Sequence, residues 1–291
     1  MKGIVLAGGT GSRLWPLTLT TSKQLLPVYD KPMIYYPIST LMLAGIREIL
    51  IISTPKDIES FKQLLGDGSK IGIEFTYAIQ PESKGIAQAF SIGEKFISND
   101  RVALILGDNI LVGNKVGSNL KEHNEVSGGL IFAARVTDPE RYGVVELDSQ
   151  GRPISIEEKP LKPKSNLAIP GLYFYDNSVI ELSKTLSPSS RGELEISDLN
   201  ELFLKSNKLN VSVLPRGTVW MDAGTIDSLH KATSYIESIE NTQLMKIACL
   251  EEIAWRNNWI DTNQLLELAS RLGINRYADY VRSIILWERH T

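Results

Sequence analysis

Through the first half of the chain, short apolar runs alternate with longer stretches that have one apolar face. Residues 4–7 (Ile-Val-Leu-Ala) are continuously apolar, as expected of a strand covered on both faces. The apolar stretch 37–44 predicts a helix stopped by Gly45. Residues 49–52 predict a second strand, 57–65 a helix closed by Gly66-Asp67-Gly68, and 73–79 a third strand. A helix over 86–97 and a strand over 102–106 follow. This β-α-β-α order predicts an α/β fold with a doubly wound, mostly parallel (mixed) Rossmann-like sheet, helices on both faces, and ligands at the carboxyl ends of the strands. From Gly128 the pattern turns to strands, over 130–136, 144–147, 154–158 and 167–175, with no linker before them. Residues 244–291 read as a helical extension. There Tyr277, Tyr280, Val281, Ile284 and Ile285 fall on one apolar face, suited to docking on the chain's own domain or to a subunit interface.

The first strand breaks into Gly8, Gly9, Thr10, Gly11 and Ser12, with Arg13 directly after and Lys23 ten residues on. Glycines allow positive φ and close approach of backbone amides to an anion, and the two cations extend that character. It is not a P-loop, because Gly11 is followed by Ser12-Arg13 rather than Lys-Ser/Thr. The dinucleotide pattern fails as well: Leu14 stands where its third glycine belongs, and the second strand runs into Thr54-Pro55 without an acid. An ordinary tight turn would account for the glycines, but not for Arg13 or the Ser22-Lys23-Gln24 that follows.

Composition narrows the chemistry. The chain has 291 residues, 43% hydrophobic and 22% charged, with a formal net charge of −3. No global positive field invites nucleic acid or a membrane surface, so any anion must be held locally. No apolar run reaches membrane-spanning length and no signal peptide is evident, so the expected location is cytoplasmic. One cysteine, Cys249, and the scattered His123, His230 and His290 leave no zinc or disulfide pattern.

At other strand ends the residues admit two readings. Asp108 follows the strand 102–106, where a carboxylate can hold Mg²⁺ with phosphate oxygens completing the octahedron; a turn aspartate before Asn109 is the plain alternative. Gln80, before Pro81, offers a donor and an acceptor matching a pyrimidine edge, or is a polar loop residue. Glu158-Lys159 is, in isolation, a solvated pair at a strand end. Asp222 follows an apolar segment and is flanked by Ala223-Gly224, which permits close approach of a ligand.

Gly9-Thr-Gly-Ser-Arg-Leu-Trp-Pro-Leu-Thr18 and Ser22-Lys-Gln-Leu-Leu-Pro-Val-Tyr-Asp-Lys-Pro-Met33 resemble the sugar-1-phosphate nucleotidyltransferases. Ser12 stands where that family usually has threonine, and keeps the hydroxyl. The resemblance runs with specific motifs through about Gln243 and implies a catalytic domain over 1–243. Its nucleotide-binding half is 1–127 and its sugar-binding half 128–243; the tail resembles the branch that uses dTTP and glucose 1-phosphate. It implies nucleotide contacts at Leu6, Gly8, Gly9, Thr10, Gly11, Ser12, Arg13, Lys23, Gln24, Gln80, Pro81, Gly85 and Asp108. It implies sugar-phosphate contacts at Asn109, Tyr142, Gly143, Glu158, Lys159, Gly171, Tyr173 and Arg191, where Arg191-Gly192-Glu193 is expected to open a helix with Glu195 in its first turn. Asp108 and Asp222 would share Mg²⁺, and Arg13, Lys23, Asp108, Lys159 and Asp222 would carry catalysis. A homotetramer with a nucleotide-sugar feedback site is also implied. A nucleotidyltransferase using UTP or another sugar phosphate is the near alternative; a non-catalytic nucleotide-sugar sensor is the contrasting reading, disfavoured by the presence of Arg13, Lys23, Asp108 and Asp222.

Overall fold

The amino-terminal apolar run becomes the centre of the sheet. In a computed structural model, which describes residues 1–288 (His290 lies outside them), the first half runs as β1 (Lys2–Ala7), β2 (Pro27–Val28), β3 (Lys31–Pro32), α1 (Tyr35–Leu43), β4 (Glu48–Ser53) and α2 (Ile58–Leu65). It continues as β5 (Glu74–Ile79), α3 (Gln88–Ile92), α4 (Glu94–Ile97), β6 (Val102–Leu106), β7 (Asn109–Val112) and α5 (Val116–Lys121). The second half comprises β8 (Gly129–Arg135), β9 (Gly143–Leu147), β10 (Pro153–Glu158), β11 (Leu167–Ala168), β12 (Leu172–Tyr175), α6 (Ser178–Lys184), α7 (Ile196–Lys205), β13 (Leu209–Val213), β14 (Val219–Asp222) and α8 (Ile226–Gln243). The tail is α9 (Leu250–Arg256), α10 (Thr262–Arg271) and α11 (Arg276–Glu288).

One mixed sheet passes through both halves in the order β10-β9-β11-β8-β12-β6-β1-β4-β5, with β13 on β8. Its first-half pairs are parallel: Val5 of β1 lies between Ile51 of β4 and Ile105 of β6. The period of two along these strands divides the core. Val5, Ile51 and Ile105 face the layer that contains Ile38 and Leu41 of α1. Their neighbours Ile4, Ile52 and Leu104 face the layer that contains Phe90 of α3. Residues apolar on both faces are therefore what a doubly covered sheet demands, and each fully buried side chain contributes roughly 1.5–3 kcal/mol. The second half joins through β12, antiparallel to both β6 and β8.

The structure corrects several boundaries. The helix expected over 86–97 is two short ones divided at Gly93, where an added Cβ would lie 3.0 Å from Ile4 Cδ1. The strand expected over 167–175 is interrupted at Pro170-Gly171; proline brings no N–H to the ladder, and the Gly171 amide donates to Asn109 Oδ1 at 2.9 Å instead. The helix expected to open at Arg191 starts at Ile196, with Glu195 in the N-cap position rather than the first turn. Gly192 at φ 75° forms part of a turn closed by the Gly192 amide donating to the Ser189 carbonyl.

The tail packs on its own chain. Leu250, Ala254, Leu265 and Val281 share a core with Ile38 and Leu41 of α1. The Tyr277 hydroxyl donates to Glu251 at 2.7 Å, and that of Tyr280 to Glu252 at 2.5 Å. The apolar face of α11 is thus covered at Val281 and Ile284, both fully buried.

Candidate active site

At the carboxyl end of β1 the chain leaves the sheet through Gly8 and Gly9 and turns at Gly11, whose φ of 64° is left-handed. The Thr18 hydroxyl donates to the Gly11 carbonyl at 2.7 Å, and the Leu14 amide to the same oxygen at 2.9 Å. That pins the turn and leaves Thr10, Ser12 and Arg13 exposed at its rim. Close packing explains the glycines: a Cβ on Gly8 would fall 1.9 Å from Gln80 Oε1, and one on Gly107 2.7 Å from Gln24 Cγ. The Gly107 amide donates to the Leu6 carbonyl at 2.9 Å, so β1 and the loop after β6 leave the sheet side by side.

That loop delivers Asp108, almost fully buried and ion-paired with the Lys23 ammonium. Burial alone would raise its carboxyl, but the Lys23 charge and hydrogen bonds from Lys23 and Asn109 outweigh this and hold it below the usual carboxylate range. Asp222, at the end of β14, is brought in by antiparallel pairing, which sets it opposite Asn109 of β7. Its carboxyl is raised by burial and by the neighbouring Asp108, against the pull of Lys23 and Arg13. Three of these groups surround Gly224, whose Cβ, if present, would lie 2.9 Å from Asp222 Oδ1, 3.5 Å from Asp108 Oδ2 and 3.6 Å from Arg13 Nη2; Lys23 joins them through its ion pair with Asp108.

This donor set fits a hard divalent cation. Two carboxylates converge, and the like charge that raises Asp222 is what a cation between them would relieve. Among the described residues no three His, Cys, Asp or Glu gather, so the chain offers two oxygen ligands and substrate oxygens or water would supply the rest.

A cleft of about 200 Å³ extends from Arg13 and the two aspartates toward the second half. Asn109, Tyr142, Gly143, Glu158, Lys159, Gly171 and Tyr173, all expected from the sequence, line it. Asn109 is fixed in place: its Oδ1 accepts from the Gly171 amide at 2.9 Å and from Trp220 Nε1 at 2.6 Å, and one hydrogen of its Nδ2 is donated to Asp108 at 3.2 Å, which leaves the other. Glu158 accepts from the Ser197 hydroxyl at 2.5 Å and lies 3.7 Å from the Lys159 ammonium. Lys159 itself adopts φ 45°, a left-handed conformation uncommon for a side-chain-bearing residue and frequent at functional turns. Tyr173 is buried, and burial and the Glu158 carboxylate push its hydroxyl pKa up, so it remains a neutral donor.

Other expected residues lie outside this cleft lining. Gln80 is buried with one Nε2 hydrogen donated to Gln88 Oε1 at 2.7 Å, which orients its carboxamide. Pro81 is exposed beside it. Gly85, at φ 98°, packs on the backbone of Leu194, where a Cβ would come within 2.4 Å of the Leu194 carbonyl oxygen. Arg191 stands at the margin, 3.9 Å from Glu158, and is ion-paired with Glu195 at 2.8 Å.

Sequence reasoning does not find Trp220, Ser197, Asn200 or Arg141, which also line the cleft. Trp220 packs edge-on against Tyr142 with ring centroids 4.9 Å apart. It sits two residues before Asp222 on one strand, so the alternation of side chains would have placed the two on one face. Ser197, in the first turn of α7, has no such signal: its partner Glu158 is distant in sequence, at the end of β10.

Fold and site together define an α/β protein that gathers cations and a pair of carboxylates at the carboxyl edge of its sheet. The sequence model of the nucleotidyl transferase family matches residues 2–239, and the chain belongs to that family. It is 56% identical to a glucose-1-phosphate thymidylyltransferase of Neisseria meningitidis, over 98% of this chain and 99% of that one. It is 53% identical to one of Mycolicibacterium smegmatis at the same coverage. Among solved structures, a Bacillus anthracis protein assigned to the same activity and crystallised with sucrose superposes with a TM-score of 0.75 at 43% identity, covering 81% of this chain and 94% of that one. A UDP-glucose pyrophosphorylase with bound UDP-glucose, 24% identical with a TM-score of 0.72, covers 81% of this chain and 98% of its own; it shares the fold.

Proposed function

We propose that the cleft joins dTTP and α-D-glucose 1-phosphate, giving dTDP-glucose and pyrophosphate by attack of the sugar phosphate on the α-phosphorus. The observation that carries this is the grouping of Arg13, Asp108 and Asp222 about Gly224, with Lys23 ion-paired to Asp108. The 56% identity to a thymidylyltransferase supports the choice of substrates.

The nucleophile needs no general base. A phosphate monoester has a second pKa of about 6, so it is largely a dianion at neutral pH. The obstacle is repulsion between two polyanions. At an effective dielectric of about 20, one pair of unit charges about 4 Å apart is worth about 4 kcal/mol, so several uncompensated pairs would dominate the barrier. Catalysis is then charge neutralisation and in-line positioning. Arg13 and the amides of Gly8 to Ser12 hold the β- and γ-phosphates, and Lys23 the α-phosphate. Lys159 and Arg191 hold the sugar phosphate. Asn109, Tyr142, Gly143, Glu158, Gly171 and Tyr173 read the sugar, and Gln80 and Gly85 the base. Asp108 and Asp222 would hold Mg²⁺, which supplies positive charge at the phosphoryl oxygens when bound.

Pyrophosphate release with dTTP, UTP and CTP against glucose 1-phosphate tests the reading. Release fastest with dTTP is expected. A preference for UTP would move the protein to a neighbouring activity, and release with none would leave a nucleotide-sugar sensor. A cytoplasmic homotetramer with a feedback site belongs to the same reading, and light scattering of the purified protein checks its assembly.

A further inference from the structure

The turn that carries Arg191 is exposed, and a long side chain there would ordinarily sample many rotamers, so ordering it on binding would cost conformational entropy. Here it does not swing free. Arg191 Nε donates to Glu195 Oε1 at 3.2 Å and Nη2 to Glu195 Oε2 at 2.8 Å, a planar two-bond fork. The Glu195 side chain is only 12% exposed against 44% for Arg191, so the acid is the fixed partner and the arginine the held one. Glu195 is fixed in turn: its Oε1 accepts from the Ser189 hydroxyl at 2.6 Å, and the Ser189 oxygen accepts from the Arg191 amide at 3.2 Å. The adjoining Leu194 backbone is tied to the far wall, its amide donating to the Lys84 carbonyl at 2.7 Å and its carbonyl accepting from the Ala87 amide at 3.2 Å.

The fork occupies Nε and one hydrogen of Nη2. Nη2 also lies 3.9 Å from Glu158 Oε1, on the cleft wall, and 3.8 Å from Glu193 Oε2, so this edge of the guanidinium stands at the cleft margin among carboxylates. Nη1 is the group left for an anion.

We propose that Glu195 is a positioning residue that aims Arg191 at the phosphate of the incoming sugar phosphate. This rests on Arg191 being the cation that meets that phosphate. The carboxylate acts through the guanidinium and touches neither substrate.

Steady-state kinetics of Glu195→Gln, Arg191→Ala and the double variant test it. Glu195→Gln is expected to raise KM for glucose 1-phosphate about tenfold, with KM for dTTP and the melting temperature unchanged, because only one substrate's cation loses its aim. Glu195→Asp, which keeps the charge, should recover part of that loss. In the Arg191→Ala background the glutamine should add nothing. If Arg191→Ala leaves KM for glucose 1-phosphate unchanged, the role of Arg191 falls and this proposal with it. If Arg191→Ala raises that KM but Glu195→Gln does not, or multiplies it again in the double variant, positioning is overturned while the functional reading stands. A glutamine variant that shifts both KM values and the melting temperature together would make Glu195 merely structural.

Discussion

In the first half of the molecule a pinned glycine turn lies beside the cleft, with Arg13 exposed at its rim and Lys23 ion-paired with Asp108. In the second half the cleft is edged by side chains that already hold one another. Ser197 is on Glu158, Lys159 is within 3.7 Å of the same acid, Arg191 is on Glu195, and Tyr142 is against Trp220. The first arrangement suits a polyphosphate, which any set of converging amides and cations can hold. The second suits a polyhydroxylated ring, where recognition needs donors and acceptors at set angles and each must be fixed before the ligand arrives. Charge is therefore concentrated and frustrated on one side, and paired on the other.

The largest effect should come from the frustrated side. Chelation with EDTA is expected to reduce pyrophosphate release to background, with Mg²⁺ restoring it; turnover that persists through dialysis against EDTA would remove Asp108 and Asp222 as a metal pair. Next, Lys23→Ala is expected to lower turnover about a thousandfold, a loss typical of removing a charge that meets the transition state. It also leaves the buried Asp108 carboxylate without its ion partner, so a loss of stability on the order of 3–5 kcal/mol should accompany it in denaturant titration. A Lys23→Ala protein with wild-type turnover would sink the phosphate role.

The same contrast explains what could be read from the sequence. The glycine turn, Arg13 and Asp108 are local: each follows a buried strand within a few residues, and strand ends are where such sheets bind. Asp222 was legible through Ala223-Gly224, although only the β7–β14 pairing shows why it meets Asp108. On the paired side, local pattern fails. Glu158 meets Ser197 across a large sequence separation, and the break at Pro170-Gly171 serves Asn109, which no periodicity announces. Arg191 could be named from its motif, but Glu195, which holds it, was placed inside a helix that it in fact precedes.

On the paired side a single loss should cost less. Trp220→Phe keeps an aromatic ring against Tyr142 but removes the indole N–H that donates to Asn109 Oδ1 at 2.6 Å. Because the Gly171 amide still donates to that oxygen, Asn109 is loosened rather than freed. About tenfold in kcat/KM for glucose 1-phosphate is expected, in line with one hydrogen bond of roughly 0.5–1.5 kcal/mol. A loss of a thousandfold would mean that Trp220 touches the reacting groups directly.

The smallest effect separates the two aspartates by sign. Asp222 is raised by burial and by Asp108, so the folded state binds its proton more tightly than the unfolded chain, whose aspartates titrate near about 3.9. Ionised Asp222 therefore costs stability above its folded pKa, and lowering the pH through that pKa removes the cost. Asp108 is depressed, and its contribution is present above about 3.9 and lost as pH falls through its lower folded pKa. In EDTA at pH 7, Asp222→Asn should therefore melt higher than wild type and Asp108→Asn lower. Each kcal/mol moves the midpoint of a domain somewhat smaller than this by roughly 2–4 °C. Acidification through the raised folded pKa of Asp222 should narrow the gap between Asp222→Asn and wild type, since the wild-type carboxyl then takes up its proton. Saturating Mg²⁺ should narrow it too, by stabilising only the protein that retains both carboxylates. Should Asp222→Asn melt below wild type in EDTA at pH 7, the two carboxylates are not in conflict, and the case for a cation between them loses its electrostatic ground.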